Sequence, residues 1–152
     1  MSYNVENLKA HIISLSESSN FEAAKGEWDL VDVELHEDWD NCPCGQDIKE
    51  LCHIENRRNG QRTYVGNVCI NRFIGIQTGN LFQGLKRIAA DGNAKPNKDL
   101  IEHAQRMGYL FEKEHGFLMS IRLKRKLTAP QLNWLKKINR RIVKKTIVRK
   151  KT

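Results

Sequence analysis

The sequence predicts an α+β fold: a small β-hairpin module flanked by helices, followed by a helical, basic C-terminal half. Three observations lead there. All four cysteines fall inside NCPCGQDIKELCHIENRRNGQRTYVGNVCINRF, residues 41–73. Two β-type runs in that stretch, IKELCHIEN and QRTYVGN, meet at Asn59-Gly60, a strong hairpin signal. Beyond residue 115 the chain carries thirteen Lys or Arg and no Asp or Glu.

The elements follow in order. Val5 to Glu17 has Leu8, Ile12 and Leu15 on one side of a helix. Asn20 is placed to cap a short helix, NFEAAKGEW, that closes near Gly26. WDLVDVELHEDW alternates well enough at Val31 and Val33 to be a strand. After the hairpin, NVCINRFIG opens a short helix with Asn67 as cap, and Leu81 to Ala90 forms another, ended by DGNAKPN. From Asn97 or Lys98 a helical pattern runs on, interrupted at Gly108 and Gly116. Thr128-Ala-Pro-Gln131 is a capping box with Pro130 in the first turn, and it opens the last helix. The organisation is thus residues 1–78, helices plus hairpin module, and 79–152, helices plus basic arm, as two parts or one compact domain.

Composition narrows the setting. The 152 residues are 39% hydrophobic and 29% charged, with a formal net charge of +8. No apolar run reaches the length a bilayer demands, so no membrane is expected. MSYNVENLKAHIISLSES lacks a basic segment followed by an apolar one, so a reducing cytoplasm is expected and disulfides are not.

The thiols are spaced Cys42-x-Cys44-x7-Cys52-x16-Cys69. Cys42, Pro43, Cys44 and Gly45 make a tight turn that aims two thiolates at one ion, with Gly45 free to take positive φ. Strand alternation puts Ile48, Glu50, Cys52 and Ile54 on one side and His53 on the other. Cys69 falls in the first turn of a helix, where the dipole favours a thiolate. Convergence of all four gives a closed, structural zinc site, treble-clef-like in layout, although its knuckle is CxC. An iron–sulfur cluster, free buried thiols, or His53 in place of Cys52 are the rival arrangements. A disulfide between Cys42 and Cys44 would be strained. His11, His36, His103 and His115 stand alone in the sequence as surface or boundary residues, and Trp28, Trp39 and Trp134 are expected to pack, with Trp39 or Tyr64 the aromatics that could stack a base.

Charge is segregated. Residues 1–56 hold thirteen acids and three bases, the reverse of the C-terminal end. On the last helix Leu132, Leu135, Ile138 and Ile142 share a sector of about 120°. Opposite lie two rows, Lys136, Arg140, Lys144 and Lys137, Arg141, Lys145, extended by Arg122, Lys124, Arg125 and Lys126 and by VRKK at 148–151. Like charges at i, i+4 disfavour a helix, and phosphates are the obvious counter-charge. Base-reading signatures are absent, with Asn133 and Asn139 the only polar candidates, so backbone recognition of nucleic acid is expected. A membrane-surface or calmodulin-like helix is the other use of such a pattern.

Several of these residues form a wider pattern: Cys42, Cys44 and Gly45; Ile54 and Asn56; Val65, Gly66 and Cys69; then Leu127, Thr128, Gln131, Ile138 and Asn139. Over most of residues 20–142 the chain resembles a group of small bacteriophage and mobile-element proteins with a CxCG…C…VGxxC treble-clef-like zinc module. The resemblance implies metal binding, a phage or prophage origin within a bacterial host, and a part in DNA transactions or in handling the host. It transfers no catalytic residue.

Three functions compete. The first is a non-enzymatic, zinc-stabilised protein that binds nucleic acid, DNA foremost, through its basic arm. A second is an effector that binds a host polymerase, nuclease or defence protein through acidic residues such as HEDWD at 36–40. The third is a ββα-metal (HNH-like) nuclease, with His53 as general base and Asn67 or Asn71 orienting it or holding a second metal.

Overall fold

The structure, a computed structural model, describes residues 4–148. It is a mixed helix-and-sheet protein whose chain divides into two compact units, Met1–Gly79 and Asn80–Thr152.

In the first unit, α1 (Val5–Ser14) starts at Asn4, whose side chain accepts the Asn7 N–H at 3.0 Å. Leu8 and Ile12 are its fully buried residues. It stops a turn earlier than the apolar pattern suggests, with Leu15 as its C-terminal cap. Just beyond it, Ser16 Oγ donates to the Ile12 carbonyl at 2.6 Å and accepts Trp28 Nε1–H at 2.9 Å. Asn20 caps α2 (Phe21–Ala24) as expected, and a 3-10 turn, Lys25–Glu27, leads into the sheet.

The sheet is antiparallel in the order β1 (Trp28–Asn41), β2 (Asp47–Asn56), β3 (Arg62–Gly66). Register shifts between Leu30 and Asp32 and between Leu35 and Asp40 explain why alternation in WDLVDVELHEDW is imperfect. Gly60, at φ +76°, makes the β2–β3 turn. A helical turn, α3 (Asn67–Cys69), follows β3 and widens into a π-type turn, Ile70–Ile74, closed by Gly75 at φ +91°. Asn67 is the first residue of that turn and not its cap.

A buried carboxylate organises the hairpin end of this unit. Glu27 is 4% exposed and accepts from the N–H groups of Glu17 (2.8 Å) and Ser18 (2.9 Å) and from Asn56 Nδ2 (3.0 Å). The Asn56 side-chain Oδ1 in turn accepts the N–H groups of Arg58 and Asn59, locking the β2–β3 turn. Led by the Asn56 bond, these donors hold the Glu27 carboxyl down to about 2 from 4.5. In the unfolded chain it titrates near the ordinary value, so its contribution is complete above about 4.5 and is lost as pH falls toward about 2. Thermal melts across that window are expected to show a steeper acid loss in the parent protein than in Glu27→Gln. Equal slopes would remove Glu27 from this role.

The second unit is helical: α4 (Gly79–Ala90), α5 (Lys98–Met107), α6 (Glu114–Ile121) and α7 (Ala129–Val143). Asn97 caps α5, and Gly108 ends it at φ +83°. Gly116, where the sequence suggests a second interruption, lies inside α6. The break falls earlier because the Glu114 carboxylate accepts the Phe111 N–H at 2.8 Å and starts a new helix there. Both halves of the Thr128–Gln131 capping box form. Leu135, Ile138 and Ile142 of α7 are at most 2% exposed and join Leu100, Ile101, Ala104, Leu118 and Ile121 in the core; Leu132 is only half-buried.

Candidate metal centre and basic face

The β1–β2 connection is the cysteine knuckle. The Gly45 N–H donates to the Cys42 carbonyl at 2.8 Å and the Cys42 N–H to the Gln46 carbonyl at 2.9 Å, while Gly45 takes φ +91°. Asn4, at the start of α1, donates its N–H to the Cys44 carbonyl at 3.0 Å, seating the helix against the turn. From the other end of the sheet, α3 brings in Cys69. The Sγ atoms of Cys42, Cys44 and Cys69, all buried, lie within 4.8 Å of one another. Thiolates bound 2.3 Å from one tetrahedral ion stand about 3.8 Å apart, so the cluster matches a metal site in scale.

Backbone donors favour the thiolate form. The Gly66 N–H donates to Cys42 Sγ at 3.3 Å, and the N–H groups of Cys44 and Gln46 point at the sulfurs of Cys42 and Cys44. The Cys69 thiol and these amides bring Cys42 down to about 6 from 9.0. Cys69 is pushed up by sharing its proton with Cys42 and by burial, and burial raises Cys44. One thiolate among crowded thiols is the state a divalent ion resolves, because it displaces the remaining protons. A Cβ at Gly66 would come 2.9 Å from Ile48 Cγ2, so a larger residue there would have to displace the Ile48 side chain.

Cys52, the fourth predicted ligand, is not part of this cluster. It is fully buried on the inner face of β2, and its thiol donates to Thr78 Oγ1 at 3.9 Å. Burial pushes it up to about 12. Thr78 also donates to Asn67 Oδ1 and accepts from Asn71 Nδ2 at 3.2 Å. Asn67 and Asn71 are therefore joined to each other, to Thr78 and, through Asn67 Nδ2, to Glu50 at 2.9 Å. This polar cradle was invisible in the sequence, since nothing marks Thr78 as a neighbour of Cys52.

His53 points to the opposite face, as strand alternation requires, and pairs with Glu34 rather than with Asn67 or Asn71. The nuclease constellation of His53 with either asparagine is thus not assembled. His36 is not solitary: its Nε2 lies 2.7 Å from Glu34 Oε2 and its Nδ1 bonds Asp40, which raises its pKa. Trp28 is buried as expected, but Trp39 is 65% exposed, with Lys49 Nζ 4.7 Å from its ring centre. In the second unit Trp134 stacks on Phe117 at a centroid distance of 4.0 Å.

The basic side chains of that unit separate into two groups. Arg122, Lys124, Arg125, Lys126, Lys136, Lys137, Arg140 and Lys144 are exposed. Arg141 is not available: it makes a two-pronged ion pair with Glu114, which is itself 3% exposed, and donates to the Tyr109 carbonyl at 3.0 Å. Trp134 Nε1–H adds a bond to Glu114 at 2.8 Å. Burial pushes the Glu114 carboxyl up, but Arg141, the Phe111 N–H and Trp134 together hold it below the usual range. Lys144 is the C-terminal cap and Lys145 turns left-handed at φ +56°, half-buried, so neither row continues as regular helix beyond Val143. Asn139, considered above for base contacts, is buried and donates to the carbonyls of Gly92 and Ala94. Arg149, Lys150 and Lys151 lie outside the described residues.

No helix among the described residues is long and apolar enough to cross a membrane. Among known protein families, characterised proteins and solved structures, none matches the chain.

Two outcomes test this geometry. Cys42→Ser and Cys69→Ser are each expected to abolish stoichiometric metal uptake, read by elemental analysis and by the thiolate-to-metal absorption of the cobalt-loaded protein. Metal content equal to that of the parent in both would dissolve the site. Arg141→Ala leaves a buried carboxylate unpaired and is expected to cost about 3 kcal/mol of unfolding free energy in denaturant titration. A change no larger than that of exposed Lys137→Ala would show that the pair does not hold this unit.

Proposed function

We propose that this protein is a non-enzymatic, zinc-stabilised nucleic-acid-binding protein that acts on DNA through the sugar–phosphate backbone. The observation that carries the reading is the exposed group Arg122, Lys124, Arg125, Lys126, Lys136, Lys137, Arg140 and Lys144, in a stretch without acids after Glu114. Such a surface attracts a polyanion and gains from released counterions. Arg141 and Lys145, first counted with that surface, are left out of it, one by its pair with Glu114 and the other by its half-buried, already partnered position.

Zinc is the metal that suits the sulfur donors. Cys42, Cys44 and Cys69 would take three tetrahedral positions, with Cys52 as the fourth once its thiol leaves Thr78. An ion so enclosed is structural. It would join the β1–β2 turn to α3, and a site of this kind contributes on the order of 10 kcal/mol to folding. The resemblance to phage and mobile-element proteins supports DNA as the target and the cytoplasm of a bacterial host as the setting.

A second reading rests on the first unit. Exposed Trp39, between the acids Asp38 and Asp40, is the kind of anchor that protein interfaces use, and it favours a basic host protein as partner.

The deciding experiment titrates the zinc-loaded full chain against labelled duplex DNA, single-stranded DNA and RNA over a salt series, with magnesium and manganese lanes in parallel. Binding is expected, with log K falling linearly against log salt at a slope of about −4 or steeper, as several phosphate contacts require. Absence of binding at about 0.15 M salt would overturn the reading and direct attention to Trp39. Shortening of the probe would overturn its non-enzymatic part.

A further inference from the structure

The cations of the second unit do not all face open solvent. Lys136, Arg140 and Lys144 form one wall of a groove of about 400 Å³, with Val143 beside them. Ile88 and Ala89 from the end of α4 and Gly92 and Asn93 from the following loop complete it. No acidic residue lines it. The loop's own acid, Asp91, turns its carboxylate back to accept the Asn93 N–H at 2.9 Å. None of the three cations is in an ion pair among the described residues.

The groove is built in advance. Asn139, buried among these cations' own helix turns, donates to the Gly92 carbonyl at 2.9 Å and the Ala94 carbonyl at 2.8 Å, fixing the loop to α7. Within the loop, the Asp91 N–H donates to the Arg87 carbonyl and the Ala94 N–H to the Asp91 carbonyl, each at 3.0 Å. The helix also treats its two basic rows differently. Arg141 of one row is neutralised by Glu114, whereas the row in the groove has no internal counter-charge. Two i, i+4 like-charge steps in that row destabilise the helix by a few tenths of a kcal/mol each, which a bound polyanion reverses.

Resting on the nucleic-acid reading and deepening it, we propose that this groove is the seat of a single nucleic-acid strand. Successive phosphates lie on Lys136, Arg140 and Lys144, and sugar or base faces lie against Ala89 and Val143, with buried Ile88 at the floor. Each i, i+4 step advances about 6 Å along the helix, so three cations span far more than one phosphate and suit a repeating charge. A cleft of this size accepts a nucleotide-sized group, and a duplex is too broad to enter it. The exposed residues Arg122, Lys124, Arg125 and Lys126 then serve as general attraction, outside the seat.

The test uses the full zinc-loaded chain and a labelled single-stranded oligonucleotide in a salt series, with thermal melts to show that each variant folds. Combined Lys136→Gln, Arg140→Gln and Lys144→Gln is expected to lower affinity at least tenfold and to reduce the salt slope by about 2, the sum of three single-strand phosphate contacts. Ala89→Trp, which fills the groove without altering charge, is expected to weaken binding about tenfold, a change of about 1.4 kcal/mol. Arg122→Gln with Lys124→Gln, Arg125→Gln and Lys126→Gln should leave the Ala89→Trp effect intact. If the parent binds but the groove variants match it, or if duplex binding suffers as much as single-strand binding, the groove assignment is overturned while the broader reading stands. Failure of the parent to bind any nucleic acid overturns that broader reading and this one with it.

Discussion

The convergence of the buried thiols of Cys42, Cys44 and Cys69 is the constraint around which the proposed function of the first unit turns. Cys42 and Cys44 belong to the turn between β1 and β2, and Cys69 to the helical turn after β3, so one cluster brings together the first turn and the exit of a three-stranded sheet. A sheet so small has little apolar surface to spare, and isolated hairpins are marginal in water. Its remaining supports are arranged around that constraint. Asn4 seats α1 on the knuckle, Gly66 leaves room for Ile48 and donates its N–H to the Cys42 sulfur, and Glu27 with Asn56 secures the far end of the hairpin. The two ends carry different chemistry: clustered thiols at one, a buried carboxylate with backbone donors at the other.

The second unit solves a different problem, how to fold a segment in which basic residues prevail. It spends its last acid internally. Glu114 starts α6, anchors Arg141 and receives Trp134, so one carboxylate connects two helices of the core. Asn139 does comparable work with a neutral side chain, holding the α4–α5 loop against α7. With those two polar anchors in place, apolar residues at 135, 138 and 142 close the core, and Lys136, Lys137, Arg140 and Lys144 are left exposed.

Much of this was legible in the residues themselves. Local signals acted locally: Asn20, Asn97 and Thr128 cap helices, Gly60 turns the hairpin, and alternation separates Cys52 from His53. The knuckle and Cys69 were legible because a CxC turn and a helix start leave thiolates few other directions. The position of Cys52 was not, because its hydroxyl partner Thr78 is brought back by the turn at Gly75 and leaves no periodic trace. Arg141 was misread for a related reason. A helical wheel counts it with Lys137, and only the tertiary position of Glu114, far away in sequence, draws it inward. Gly116 shows the opposite error, a residue that often breaks helices but is carried within one once Glu114 has set the start. Asn56, by contrast, stood in the sequence pattern with no stated task, and its two-sided bonding to Glu27 and to the turn supplies one.

The Glu114–Arg141 pair has a bearing on ionic strength. Glu114, the last Asp or Glu of the sequence, is sealed inside a core, and residues 115–152 hold no Asp or Glu to offset the exposed Lys and Arg among them. Repulsion among those cations opposes compaction and is screened over a Debye length of about 8–10 Å in ordinary buffers. The buried pair is largely shielded from that screening. Added salt therefore relaxes the crowding among these side chains, and under the proposed function it would at the same time weaken their attraction for an anionic partner.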